Sequence, residues 1–288
     1  MSFLFEQMTV IGVGLIGGSL ARAARQRGLV CRFVGAGRGA PNLERALALG
    51  VVDRVERDHR LAVRDSDLVV VGTPVQAGIE VVRNILPEMS PGAVLTDVGS
   101  VKGPFVRAVE GMDLRQVRFV GGHPIAGTEK SGVEASFPEL FENRRTILTP
   151  TQKTDPKALQ ALKSLWEGVG AQVDLLNPEA HDRILADISH LPHLIAYALV
   201  DSALEGEGLP YAAGGFRDFT RIASSSPEMW REICLDNRNA LLASLDAFEA
   251  RLAALRRMVE GGDGPGMEGV FRRAKEGRDG WLKDKGWA

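Results

Sequence analysis

The sequence predicts an α/β chain: a doubly wound, mostly parallel sheet over residues 1–176, followed by an all-α region over 177–288. Three observations carry this expectation. Short β-branched runs alternate with helix-patterned segments as far as Leu176, the pattern of parallel strands joined by crossover helices. The first run passes directly into Gly12-Val13-Gly14-Leu15-Ile16-Gly17-Gly18 and then into a helix. After Leu176 the strand-like runs stop.

Taken in order, Met8–Ile11 is a short apolar strand, and Ser19–Arg27 reads as a helix ended by Gly28. Strand, Gly-x-Gly-x-x-Gly and helix together form the context in which the glycine motif means dinucleotide binding. Gly12 permits the tight turn, Gly14 lets a pyrophosphate approach the backbone, and Gly17 lets helix and strand pack closely. Leu15 and Ile16 open the helix whose free N–H groups face the phosphates. The second strand, Cys31–Gly35, leads into Gly35-Ala36-Gly37-Arg38-Gly39. No Asp or Glu occurs between Ser19 and Leu43 to hold the ribose hydroxyls of NAD. Arg38 stands nearby instead and suits a 2′-phosphate, so the Rossmann-like half leans toward NADP without excluding NAD.

Asn42–Leu49 is helical, Asp67–Gly72 is a buried-type strand, and Thr73-Pro74-Val75 turns off its end. Gln76–Met89 is helical and Ala93–Val98 is a strand, left through Gly99-Ser100-Val101-Lys102. Arg118–Val120 is a strand leading into Gly121-Gly122-His123-Pro124. Strands at Arg145–Leu148 and Ala171–Leu176 bracket a helix from about Asp155 to Gly168. Ligands of such sheets sit at the C-terminal strand ends. Thr73-Pro74 is therefore expected on the cofactor, and Ser100 and His123 in the same crevice. Histidine is the side chain best suited to move protons near neutral pH.

Beyond Leu176, Asn177-Pro178 reads as a cap and first helical residue. Glu179 to about Glu205 is helical in pattern, and Pro192 within His190-Leu191-Pro192-His193 should kink or restart the helix. The pair His190 and His193 lacks further ligands, so no metal is expected. Gly214-Gly215-Phe216-Arg217-Asp218-Phe219-Thr220-Arg221 carries two arginines able to grip a carboxylate. Ser226-Pro227 caps a helix expected to run unbroken to about Gly261, roughly 50 Å at 1.5 Å per residue. A helix that long needs a partner subunit to cover it, so a homodimer through the helical region is expected. Gly261–Gly266 reads as a flexible break, and Met267–Trp287 as one more short, charged helix.

Composition excludes several classes. Hydrophobic residues at 44% and charged residues at 25% are those of a globular protein. A net charge of −2 with scattered basic residues gives no case for nucleic acid or an anionic membrane. Cys31 and Cys234 have neither a metal nor a disulfide spacing, and the N-terminus lacks the features of a secretory signal. A cytoplasmic location is the expectation, with a small molecule as substrate.

The motifs from Gly12 to Ser19, Asp97 to Lys102, Gly121 to Gly127, His190 to His193 and Gly214 to Ala223 come in one order across nearly the whole chain. In that order they resemble the prephenate/arogenate (cyclohexadienyl) dehydrogenase family of tyrosine biosynthesis. The resemblance implies an NAD(P)-dependent oxidative decarboxylation of prephenate, arogenate or both. It implies His123 as the acceptor of the ring hydroxyl's proton, with Ser100 orienting His123 or that hydroxyl. It also implies Arg221 on a substrate carboxylate, His190 against the substrate's far end, and Trp230 as a pocket wall. Gly214 lies in the matching segment, and Glu129 and Asp218 match a charged network at the pocket mouth. Gly37-Arg38 departs from the NAD-using pattern and resembles the NADP-using branch. Two other readings stand beside it: another dehydrogenase of hydroxy or keto acids, and a non-catalytic dinucleotide-binding dimer. The first normally uses a helical-domain lysine, and no lysine occurs from Leu176 to Gly261.

Overall fold

The computed structural model describes residues 3–128 and 130–286. They fall into two compact units, one reaching Arg238 and one beginning at Asn239. The first contains an eight-stranded sheet: β1 (Phe5–Ile11), β2 (Val30–Ala36), β3 (Arg54–Glu56), β4 (Leu68–Val71), β5 (Val94–Asp97), β6 (Arg118–Pro124), β7 (Arg145–Thr149) and β8 (Gln172–Leu175). Its order is β3-β2-β1-β4-β5-β6-β7-β8. β7 runs antiparallel to β6 and parallel to β8, and every other pairing is parallel. The order reverses between β1 and β4, where such sheets open a crevice for a ligand.

The strands are buried on both faces because their side chains alternate between two cores. Val10, Leu68 and Val70 enter one core with Leu20, Phe33, Phe141 and Trp166. Ile11, Val69 and Val71 enter the other with Val82, Leu95 and Phe105. Crossover helices α1 (Leu15–Gln26), α2 (Ala40–Ala48), α3 (His59–Ala62), α4 (Val75–Ile85), α5 (Gly103–Glu110) and α6 (Pro156–Gly168) connect the strands. Asp155 caps α6, accepting from the N–H groups of Lys157 and Ala158. The short β3 and α3 and the helix α5 do not stand out from the sequence pattern. The three residues of β3 and the four of α3 are too few to establish a period, and the eight of α5 make little more than two turns.

The same unit continues with α7 (Pro178–Leu185), a π-helical turn (Ala186–His190), α8 (Leu191–Leu204), α9 (Gly214–Thr220) and α10 (Pro227–Asp236). Asn177 caps α7 through the Ala180 N–H. The break expected at Pro192 takes the form of the π turn, with Pro192 in the first turn of the next helix. Trp230 and Ile233 of α10 reach the second core.

The helix expected to run unbroken to Gly261 is two helices. α10 stops at Asp236, and α11 (Arg238–Gly261) follows after Asn237, whose φ and ψ are −99° and 28°. The apolar period continues through Asn237, but its buried amide is committed elsewhere, to Asp182 and His190. α11 has 24 residues, about 36 Å at 1.5 Å per residue. Nor is Gly261–Gly266 a break of any length: α11 still includes Gly261, and α12 (Gly264–Asp284) begins within the stretch, capped by Asp263 on the Gly266 N–H. Both helices of the second unit leave large apolar side chains exposed, among them Leu252, Val259, Phe271 and Trp281. No described helix is long and apolar enough to cross a membrane.

Candidate active site

The glycine loop has the shape a pyrophosphate requires. Gly12 has φ +92°, and a Cβ there would meet the Gly72 carbonyl oxygen at 2.6 Å. A Cβ on Gly17 would meet Val10 Cγ1 at 2.6 Å, so this glycine sets the distance between α1 and β1. Gly14 faces open space, with nothing within 4 Å of a built Cβ. Gly14 also caps α1 with no side chain on the helix's first N–H groups, which are left for an anion. Leu15 and Ile16 are half-buried against the first core and hold that helix end in place. Thr73 follows β4, its methyl group close to Gly12, and its buried hydroxyl has no partner among the described residues. Pro74 caps α4. These features fit a dinucleotide across β1 and β4.

Arg38 follows β2, and His59 opens α3 just past β3. The two lie close enough for Arg38 to help lower the pKa of His59, after the larger effect of burial and against the raising effect of Asp58. His59 Nε2 is buried without a partner among the described residues. An arginine and an imidazole thus stand together beyond the strands where the adenosine ribose of a bound dinucleotide lies.

His123 sits near the end of β6, opposite Ile147 of β7. Its Nδ1 is 2.8 Å from Nε2 of His181, and the rings meet edge to face. His181 is fully buried, and its Nδ1 is 2.8 Å from Oδ1 of Asp182. Asp182 also accepts from the N–H groups of Lys102 and Gly103, each at 2.7 Å, and so caps α5. Its backbone carbonyl accepts from Nδ2 of Asn237 at 2.7 Å. That amide nitrogen lies 3.0 Å from Nδ1 of His190.

A second buried group supports β6 from behind. Lys102 is 0% exposed and its ammonium donates to Asp97 Oδ2 and, at 2.7 Å, to the Gly122 carbonyl. Asp97 also accepts from Gly99 N–H at 2.9 Å and Gly122 N–H at 3.3 Å. The residue preceding His123 is thereby held at both its N–H and its carbonyl.

This setting keeps the imidazoles neutral. Burial, then the neighbouring His181, Lys102 and His190, push the pKa of His123 well below 6.5. Burial lowers His181 too, against the opposing pull of Asp182. His190 is pushed to about 4, chiefly by burial. Burial alone would raise Asp182, but the bonds from His181, Lys102 and Gly103 outweigh it, and its pKa is lowered.

The structure brings His123, His190 and Trp230 into one connected cluster. The Trp230 ring stacks on His193 at 3.5 Å between centroids and stands edge-on to His190 at 6.0 Å. Its Nε1 is buried with no partner among the described residues. Arg221 is exposed, and its charge helps to lower the pKa of His193, after burial and against the raising bond to the Ser189 carbonyl. Ser100 is half-buried beyond β5, and no hydrogen bond joins it to His123 among the described residues; His181 holds that ring. Gly214 starts α9, and Asp218 is exposed in an ion pair with Arg217 at 3.0 Å. Glu129 lies outside the described residues. Sequence reasoning missed His181, Asp182, Asn237 and the supporting role of Lys102. They join across 58, 80, 55 and 20 residues, so no local motif displays them.

A dinucleotide cradle and a neutral, protein-held imidazole at the C-terminal edge of one sheet define a nicotinamide-dependent oxidoreductase. Comparison with known proteins gives the particular kind. Residues 20–175 match the family model for the nucleotide-binding domain of prephenate dehydrogenase, and residues 177–273 match its dimerization domain. The chain is 38% identical to the prephenate dehydrogenase of Bacillus subtilis, over 99% of this chain and 79% of that protein. It is 37% identical to the cyclohexadienyl dehydrogenase of Zymomonas mobilis subsp. mobilis, over 96% of each. Its fold matches the crystal structure of prephenate dehydrogenase from A. aeolicus in complex with hydroxyphenyl propionate and NAD+, with a TM-score of 0.90 and 37% identity, over 96% of this chain and 98% of that one. The chain belongs to the prephenate dehydrogenase family.

Proposed function

We propose that this enzyme oxidatively decarboxylates prephenate, arogenate or both, with His123 as the base and NADP favoured over NAD. The observation that carries the reading is the neutral His123, held through one ring nitrogen so that the other remains for substrate. A bound nicotinamide supplies the chemistry of hydride acceptance from the ring carbon bearing the hydroxyl. His123 takes the hydroxyl proton as that carbon becomes a carbonyl. The carboxylate then leaves as CO2, its bonding electrons make the ring aromatic, and His123 returns the proton to the phenolate oxygen. Arg221 pairs with a substrate carboxylate, His190 lies against the substrate's far end, and Trp230 forms a wall of the pocket. Ser100 orients the hydroxyl, and Gly214 and Asp218 contribute to substrate binding. Arg38, with His59 beside it, supports the NADP preference.

Residues 1–176 serve the cofactor, and residues 177–288 serve substrate binding and homodimerisation. The family-model boundary and the exposed apolar side chains of α11 and α12 support that division.

The test is a four-way assay of prephenate and arogenate with NAD and NADP, followed by nicotinamide absorbance. Turnover with at least one cyclohexadienyl substrate is expected, and turnover with neither overturns the proposal. His123→Asn should abolish nearly all turnover while substrate binding is largely retained. Activity surviving that change removes His123 as the base.

A further inference from the structure

The mechanism asks two different things of two histidines. His123 must present a bare nitrogen to a hydroxyl, whereas His190, against the substrate's far end, has no proton to take. A neutral imidazole carries one N–H and one lone pair, and the partner on one nitrogen decides what the other can do. Both rings are traceable to the same residue.

The first path runs through the Asp182 carboxylate. Its two oxygens already receive the N–H groups of Lys102 and Gly103, and its pKa is lowered, so it accepts and does not donate. His181 Nδ1, 2.8 Å away, therefore carries the proton. His181 is neutral, because burial lowers its pKa and the Lys102 ammonium opposes a second charge, outweighing the raising effects of Asp182 and Asp97. Its Nε2 is consequently a lone pair, and the 2.8 Å contact is completed by a proton on His123 Nδ1. His123 Nε2 is then bare.

The second path runs through the Asp182 backbone carbonyl. That oxygen can only accept, so Asn237 presents its NH2 group and not its carbonyl. The second hydrogen of the same NH2 points at His190 Nδ1, 3.0 Å away, which must accept it. His190 then carries its proton on Nε2 and offers a donor. His181, Asp182, His190 and Asn237 are all buried, so water does not compete for these bonds.

We propose that Asp182 fixes opposite tautomers in the two site histidines: through His181 it leaves His123 Nε2 bare as an acceptor, and through Asn237 it makes His190 Nε2 a donor. His181, Asp182 and Asn237 are positioning residues, acting on the substrate only through these rings. When His123 takes the hydroxyl proton, the resulting cation faces the Asp182 carboxylate across His181. The inference rests on His123 being the base, but the tautomers can be read without any turnover.

The experiment is long-range 15N–1H correlation on the full-length protein with 15N-labelled histidine, at a pH where the enzyme is active. His123→Asn and His190→Gln assign the signals. A lone-pair nitrogen at Nε2 of His123 and at Nδ1 of His190 is expected. A protonated Nε2 on His123, or a protonated Nδ1 on His190, overturns the proposal, and the wild-type spectrum alone decides this. His181→Phe should lower kcat by about 10²-fold, the scale of general acid–base assistance, with KM changed by no more than about twofold. It should also turn the His123 signals into a mixture of tautomers while those of His190 stay put. Asn237→Ala should do the reverse, mixing the His190 tautomers and raising KM while the His123 pattern holds. His181→Gln, which keeps an acceptor toward His123, should recover part of kcat. Unchanged His123 signals and unchanged kcat in His181→Phe refute the path through His181. Failure of every substrate in the four-way assay, with the tautomers as described, refutes the assigned reaction and leaves this arrangement standing.

Discussion

Lys102→Met is expected to destabilise the protein strongly and to move its pH profile. The ammonium is wholly buried, bonded to Asp97 and to the Gly122 carbonyl. Methionine fills much the same volume but leaves the Asp97 carboxylate, 2% exposed, with the N–H groups of Gly99 and Gly122 as its remaining hydrogen-bond donors among the described residues. Removing one partner of a buried ion pair costs about 3–5 kcal/mol, because the other charge stays buried without compensation. In a chain of this size that lowers the melting temperature by about 10 °C. Adding Asp97→Asn should recover much of the loss, since the stranded charge goes with it. Lys102 is also one of the groups that lower the pKa of His123, after burial and His181. Without it that pKa rises, and the acid limb of kcat/KM should move to higher pH. Thermal unfolding followed by circular dichroism, with a pH series of kcat/KM, reads both effects. A melting temperature within about 2 °C of wild type, less than 1 kcal/mol by the same conversion, refutes the ion-pair reasoning. A fixed acid limb in a folded variant refutes the coupling to His123.

The remaining predictions concern charge and selectivity. Histidines 59, 123, 181, 190 and 193 all have lowered pKa values, so the unfolded chain takes up protons at higher pH than the folded one. Stability should therefore fall as pH drops below 6.5; His190, displaced from 6.5 to about 4, alone contributes about 3 kcal/mol across that window. Urea unfolding at neutral and mildly acid pH measures it, and equal midpoints contradict it. Arg38→Ala should reduce the ratio of kcat/KM for NADP over NAD by about 30-fold, the equivalent of about 2 kcal/mol for a lost charge-assisted bond. An unchanged ratio would place the selectivity elsewhere. Arg221→Ala should act mainly by raising KM, and a loss confined to kcat would contradict its role in binding substrate.

The fold was largely legible because its signals are local. Runs such as Leu68–Val71 and the glycines between β1 and α1 lie within a few residues of one another, and periodicity reports such patterns directly. His123 was legible for the same reason, standing in a glycine-rich stretch at a strand end. The residues behind it were not. His181 and Asp182 lie on a helix whose start, Asn177-Pro178, is plain in sequence, yet nothing there shows which way they face. Asn237 was worse than silent, since it falls on the apolar period and reads as a core position of one long helix. Only the buried carbonyl of Asp182 explains why an amide stands there and why the helix ends beside it.

The π turn at Ala186–His190 works as a phase shifter. It stores one residue more than an α-helix would use at that point, and it sits between Asp182 on one helix and His193 on the next. Winding the same residues as continuous α-helix from α7 into α8 would remove the wide turn. It would also rotate everything downstream by about 100° relative to Asp182, the angle of one residue in 3.6 per turn. His190 would swing away from Asn237 while Asp182 kept its place beside His181. The two histidines share one angular reference only as long as the wide turn absorbs that surplus residue, so the winding between residues 182 and 190 is as much a part of the site as the side chains themselves.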